Sequence, residues 1–294
     1  MRRTALASLL LCASVATAQE GTISYESTEL VPGIRMTIGV NSEGGFASGN
    51  LGSIVTDDFV VMIDDGMRGT APAMVSHVSE TVGRPVDFVL NTHYHGDHTG
   101  ANAAFAEAGA VVISHHKLRE RLLEDADSAG GEGGIPVLTF GDGVVLHLND
   151  ITAKIIHVPH AHTDGDAFVF VPELNVIFAG DLQFAGMFPF IDLNGGGSVE
   201  GFIHAQQMMA SMADADTIII PGHGSEPSSL AQLEADTAML IDGYARVKAL
   251  VDEGMSGDEV VAANPLADYA ADFDWYFINA ERMTQTFYTD LTSE

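Results

Sequence analysis

The sequence predicts an α/β fold in which two β-sheets pack face to face and helices cover their outer faces, giving a four-layer αββα sandwich. Three observations carry this reading. Short β-rich runs alternate with segments of helical spacing. A glycine-rich break, DSAGGEGGIP at 127–136, interrupts the alternation, and the pattern restarts after it. Each of the two halves so defined runs strands first and helices after.

The elements follow in order. GIRMTIGV (33–40), NLGSIVTD (50–57) and FVVMIDDG (59–66) read as strands divided by Gly or Asp, and Asp57-Asp58 suits a hairpin turn. APAMVSHVSETVG (71–83) has helical spacing and stops at Gly83. VDFVLNT (86–92) is a buried strand, GANAAFAEAG (100–109) a helix, AVVIS (110–114) a strand and HKLRERLLEDA (116–126) a helix. After the break, VVLHLND (144–150) and ITAKIIHVP (151–159) form a hairpin, followed by strands AFVFVP (167–172) and NVIFAGD (175–181). A long loop, 182–197, leads to the helix SVEGFIHAQQMMASM (198–212), the strand DTIIIPGHG (216–224) and helices from about Pro227 onward.

The first 18 residues, MRRTALASLLLCASVATA, combine two arginines, an apolar stretch and small residues at Ala16 and Ala18. This is the pattern of a secretory signal. Cleavage is expected after Ala18, leaving a catalytic region of 19–294 with a helical C-terminal portion, in the periplasm or outside the cell. No later run approaches ~20 apolar residues, so no membrane span is expected. Cys12 is the single cysteine, and the mature chain would have neither disulfides nor thiolate ligands. Without Arg2 and Arg3, ten basic residues face 41 acidic ones, a formal charge of −31. That balance excludes nucleic acid and anionic membrane surfaces as partners and points to a small-molecule substrate. Nothing in the sequence sets an oligomeric state.

The chemistry concentrates in NTHYHGDHTG (91–100), where His93, His95, Asp97 and His98 crowd the end of an apolar strand. In a loop there, His93 and His95 can bind one cation while Asp97 and His98 turn toward a second. Imidazole and carboxylate are the ligands expected for zinc when no thiolate is present. Further ligands are sought at other strand-to-loop junctions, where side chains project over a sheet. His162 in HVPHAHTDGD, Asp181 in NVIFAGD and His223 in TIIIPGHG all occupy such junctions.

H-x-H-x-D-H followed by HTDGD, AGD and PGHG resembles the metallo-β-lactamase fold superfamily in order and approximate spacing, over most of the mature chain. The loop FAGMFPFIDLNGGGSVEG looks like a branch of bacterial secreted zinc hydrolases. The resemblance implies two zinc ions. His93, His95 and His162 match the first site; Asp97, His98 and His223 match the second; Asp181 matches a carboxylate bridging both. Asp64 matches the family's first motif, which orients a ligand loop. The H-T-D-G match selects His162 over its neighbour His160. Many lactamases place a Cys in the second site. The ligand set here is closer to glyoxalase II.

The resemblance implies a hydrolase. Two zinc ions ~3.5 Å apart share a water whose pKa falls from ~15.7 toward ~7, creating a nucleophile for a carbonyl at neutral pH. Asp97 would also orient that nucleophile or carry its proton. The expected substrate is an amide, lactam or ester, with β-lactams first. Competing readings are a glyoxalase II-like thioester or lactone hydrolase, an iron-dependent persulfide dioxygenase and a non-enzymatic periplasmic metal-binding accessory protein. Specificity is expected from loops 41–50, with Phe46, and 183–197, with Phe184, Met187, Phe188, Phe190 and Asn194. His77, His204, His115, His116, His147 and His157 read as structural or surface residues. Met208, Met209 and Met212 read as packing.

Overall fold

The computed structural model describes residues 23–43 and 47–293. The expected signal segment, with Cys12 and Ala18, and Phe46 therefore lie outside the described residues. The first sheet has seven strands in sequence order: β1 (Ile23–Val31), β2 (Ile34–Asn41), β3 (Leu51–Val55), β4 (Val60–Ile63), β5 (Phe88–Leu90), β6 (Val111–His115) and β7 (Leu138–Phe140). Strands β1 to β4 pair antiparallel, and β4 to β7 pair parallel. The parallel connections carry α1 (Ala71–Val82), α2 (Gly96–Thr99), α3 (Asn102–Glu107) and α4 (His116–Glu124).

The second sheet comprises β8 (Gly143–Leu148), β9 (Ile151–Val158), β10 (Asp166–Val171), β11 (Val176–Phe184) and β12 (Ile218–His223), in the order β12-β11-β10-β9-β8. The β8–β9 hairpin pairs Leu148 with Ile151. Its two-residue turn places Asn149 at φ 57°, a left-handed conformation that Asn tolerates. α5 (Val199–Met212) crosses from β11 to the parallel β12. The chain ends in α6 (Leu230–Asp252), α7 (Gly257–Ala263), α8 (Ala270–Phe273) and α9 (Ala280–Thr292).

Two-residue periodicity explains the layering. Val61 and Ile63 on β4 face the inter-sheet core with Ile54, Leu90, Ile155, Val169 and Phe178, while Val60 and Met62 face outward onto Met74 and Val78 of α1 and Phe105 of α3. On the other outer face, Ala205 and Met209 of α5 cover Phe168, Ile177 and Ile219. The C-terminal helices form a further core with Phe202, Leu240, Met283 and Phe287, all fully buried. The αββα order and the division into two halves match expectation. Among the described residues no helix is long and apolar enough to cross a membrane.

Four local readings change. β1 was not read as a strand: ISYESTELV is largely polar and forms an edge, where only one partner supplies hydrogen bonds. β7 is only three residues long, below the length at which alternation can be seen. Leu182, Gln183 and Phe184, expected in a loop, continue β11 and are buried. Instead of a plain loop, residues 96–99 form one helical turn, with Asp97 in its first turn, where the helix dipole favours an anion.

The sheets meet closely at Gly52 of β3, where an added Cβ would overlap the Phe178 ring of the opposite sheet. Phe178→Ala is therefore expected to lower the unfolding free energy by about 3–5 kcal/mol. Equilibrium urea denaturation measures this; a loss below about 1 kcal/mol would show that the inter-sheet core does not depend on this contact.

Candidate metal centre

The candidate ligands gather at one edge of the sandwich, most of them at or just beyond strand ends. β5 runs directly into Asn91–His95, and α2 presents Asp97 and His98. His162 lies between β9 and β10, Asp181 lies within β11, and His223 ends β12. Two groups result, His93 with His95, His162 and Asp181, and Asp97 with His98 and His223; within each, the candidate ligand atoms lie within 4.8 Å of one another.

Asp181 joins the groups. Its Oδ2 is 3.7 Å from His93 Nε2, 3.5 Å from His162 Nε2 and 3.3 Å from His223 Nε2, and its Oδ1 is 3.0 Å from His98 Nε2. Asp97 Oδ2 lies 3.4 Å from His98 Nε2 and 3.6 Å from His223 Nε2. A carboxylate only 4% exposed therefore faces four imidazoles.

The outward nitrogens are held by the scaffold. His98 Nδ1 is 2.8 Å from Asp64 Oδ2, and Asp64 also accepts from Thr92 N at 2.7 Å and Thr92 Oγ1 at 2.8 Å. With its hydroxyl hydrogen on Asp64, Thr92 Oγ1 is left to accept from His93 Nδ1 at 3.0 Å. His162 Nδ1 donates to Phe190 O at 2.7 Å, and His95 Nε2 lies 3.1 Å from Asp192 Oδ2. Asp192 also accepts from the Tyr94 hydroxyl and from Gly195 N. These bonds turn Nε2 of His93, His98 and His162, and Nδ1 of His95, toward the centre. Gly49 packs against the same ring edge: a Cβ there would overlap His98 Nε2.

A divalent cation fits this donor set. His93 Nε2 is buried without a hydrogen-bond partner, and His98 Nε2 and Asp181 Oδ1, though 3.0 Å apart, are not aligned for a hydrogen bond, an expensive condition for polar atoms. His162 Nε2 and His95 Nδ1 stand 2.9 Å apart while their other nitrogens face acceptors, so with both rings neutral the two lone pairs point at a common site for a cation.

Protonation agrees with ligation. Burial drives His93 well below the usual imidazole range and His162 down to about 4, leaving neutral donors. Burial raises Asp181, but His223, His98 and His93 outweigh it and hold the carboxyl well below the ordinary value. Asp97, against its own burial, is held at about 2 by His98 and His223. His98 moves the other way. Asp181, Asp97 and Asp64 surround it and outweigh burial, and the negative field that favours a proton there equally favours a dication.

A family model described as the metallo-beta-lactamase superfamily matches residues 44–223. The chain belongs to the metallo-beta-lactamase superfamily. A hydroxyacylglutathione hydrolase of Methylococcus capsulatus is 29% identical over 233 residues, covering 72% of this chain and 83% of that protein. A probable metallo-hydrolase of Bacillus subtilis is 26% identical over 201 residues, covering 65% of this chain and 91% of its own length. The fold is shared with a metallo-beta-lactamase from Pontibacter korlensis at a TM-score of 0.64 and 17% identity, over 74% of this chain and all of that one. A hydrolase with a divalent metal centre follows from membership of the superfamily and the His/Asp cluster.

The structure brings together the seven residues expected at the metals, and Asp64 lies against His98. His160, the rival of His162, turns away and bonds Gly196 O. His77 is bonded to Ser27, His204 is exposed, and His115 stacks on His157 outside the cluster. Met209 is core. Of the loop 183–197, Phe184 and Phe190 line the cleft above the cluster, whereas Phe188 is fully buried among the C-terminal helices and Asn194 is exposed. Sequence reasoning missed Asp192, which reads as an ordinary turn former before three glycines. It also missed Trp275, Tyr276 and Phe277, which line the cleft from the α8–α9 connection. Three consecutive aromatics in a chain with 7% aromatic content were the available signal.

Asp64 has φ 61°, which Asn also tolerates, so Asp64→Asn tests its hold on His98 without new backbone strain. Zinc affinity is expected to fall about 10- to 100-fold. Competition titration against a chelator measures it, and an affinity equal to the parent's would show that Asp64 does not orient the centre.

Proposed function

We propose that the protein is a secreted, dinuclear zinc hydrolase that cleaves an amide, lactam or ester bond, with β-lactams the first class to assay. The observation that carries this reading is the Asp181 carboxylate shared between two His/Asp groups at the floor of a cleft. His93, His95, His162 and Asp181 would hold one zinc, and Asp97, His98, His223 and Asp181 the other. When bound, the pair would supply Lewis acidity toward a carbonyl and lower the pKa of water to near neutrality.

The chain's own groups supply the rest. Asp97 is ionised at neutral pH and lines the cleft, so it can accept a hydrogen bond from the attacking water and carry its proton toward the leaving atom. Phe184 lies against His223 with ring centroids 4.8 Å apart and planes 17° apart, and with Trp275 it keeps bulk water from that side of the floor. The signal-like residues 1–18 support export to the periplasm, where β-lactams act. The names of several relatives support a second reading, hydrolysis of glutathione thioesters. Against it, no Lys or Arg is among the described residues lining the cleft.

Protein expressed with its leader and loaded with zinc is to be assayed on nitrocefin, a carbapenem, a lactone and S-lactoylglutathione. Expected are two zinc equivalents per chain by elemental analysis, β-lactam turnover lost to chelator and restored by zinc, and a further drop of at least about 10²-fold in kcat for Asp97→Asn. Mononuclear iron with oxygen consumption, or full metal occupancy without hydrolysis of any of these substrates, would overturn the proposal. Turnover confined to S-lactoylglutathione would establish the second reading.

A further inference from the structure

The cleft over the metal centre has a volume of about 320 Å³, near the lower bound for small-molecule sites. One wall comes from Trp275, Tyr276 and Phe277, beyond the segment that defines the superfamily. This connection is fixed at both ends. Trp275 Nε1 donates to Phe188 O at 2.8 Å, Trp275 N donates to Ile278 O at 3.0 Å, and Ala280 N donates to Asp274 Oδ1 at 2.7 Å. Ile278 is buried in the helical core.

The rings form a continuous surface leading to the ligands. Trp275 stands 5.9 Å from the His223 ring, Phe277 stands 5.5 Å from Phe190, and Phe190 stands 5.7 Å from His95. Yet Tyr276 is 66% exposed and Phe277 39% exposed. Much of Tyr276 and part of Phe277 therefore face solvent, and clustered exposed aromatics beside a site mark a ligand surface. The Arg282 guanidinium flanks the wall, 4.2 Å from the Phe277 ring centre and 5.9 Å from that of Phe190, with Nη1 donating to Phe277 O at 2.9 Å.

We propose that this wall selects the part of the substrate remote from the scissile carbonyl, and that this part is a flat, apolar, uncharged group such as an aryl ring. A carrier with several charged ends, as glutathione has, would set most of that charge against aromatic faces, with Arg282 only at their edge. The inference rests on the hydrolase reading only for the position of the carbonyl.

Trp275 is the only tryptophan of the chain, so its fluorescence reports occupancy of the cleft independently of turnover. The probes are 2-phenylacetamide, acetamide and reduced glutathione, titrated into the protein as isolated. A saturable change in emission is expected with 2-phenylacetamide and not with the other two. Tyr276→Ala and Phe277→Ala should each weaken that binding by about three- to tenfold. The exposure of Tyr276 keeps its truncation from disturbing the core. Equal affinity for acetamide, tight binding of glutathione, or unchanged affinity in both variants would overturn the proposal. Turnover by the zinc-loaded protein separates the two ideas. Binding of 2-phenylacetamide without hydrolysis of any ester leaves the aromatic wall standing and removes the hydrolase. Hydrolysis of acetyl and phenylacetyl esters with equal kcat/KM does the reverse.

Discussion

The Asp181 carboxylate, buried among His93, His98, His162 and His223, is the constraint on which the rest of the site depends. Removing an ionised carboxylate from water costs several kcal/mol unless strong partners replace the solvent. Here the partners come from both halves of the chain, since His93 and His98 follow β5 while His162 and His223 flank strands of the second sheet. No single half can stabilise the charge. The backbone around it is built tightly: Gly180 takes φ 53°, and a Cβ at Gly222 would overlap the carboxylate. Two adjacent strands are thus shaped to bring a charge to the edge of a core built of aliphatic and aromatic side chains.

The same logic explains the shell around the histidines. Each imidazole turned inward needs its outer nitrogen fixed, because an unheld ring would rotate its lone pair away from the centre. Asp64, Thr92, Asp192 and the Phe190 carbonyl do this, and they reach the site from β4, β5 and the loop after β11. That loop is itself secured. Asp192 N donates to His162 O at 2.9 Å, and Arg121 of α4 bonds both Asp164 and Gly195 O. Ligand geometry is a property of the whole sandwich edge, and local changes in these supports act on the metal through the rings they hold.

What could be read in the sequence follows from these distances along the chain. Four of the converging groups lie within six residues, His162 follows the apolar strand β9, His223 ends β12, and Asp181 stands directly after the apolar run VIFAG inside β11, so a polar residue set against an apolar run reveals them. Inter-sheet layering was legible because strands precede helices in the segments on either side of the glycine-rich break. Asp192 was not legible: its role depends on a loop folding back across 97 positions to His95, which no local pattern encodes. β1 was hidden by an edge strand's polar composition. The extension of β11 through Phe184 was hidden because a β-strand with Gln183 in it reads as irregular, although Gln183 Nε2 finds partners inside the protein, donating to Ser228 Oγ and Asp236 Oδ2.

The floor and the wall of the cleft thus have different origins. The floor lies wholly within residues 44–223, the segment that matches the superfamily, and its demands are those of charge: neutral imidazoles, ionised carboxylates and fixed outer nitrogens. Residues 275–277 fall outside that segment and answer to a different physics, the burial of apolar surface against aromatic faces. Because the floor fixes the kind of bond attacked and the wall fixes what that bond is attached to, a relative that shares the floor carries its chemistry across more securely than its substrate. Names given to proteins about 29% identical therefore bear on the reaction class, while the substrate is decided by three rings on the α8–α9 connection and by the absence of Lys and Arg from the described lining.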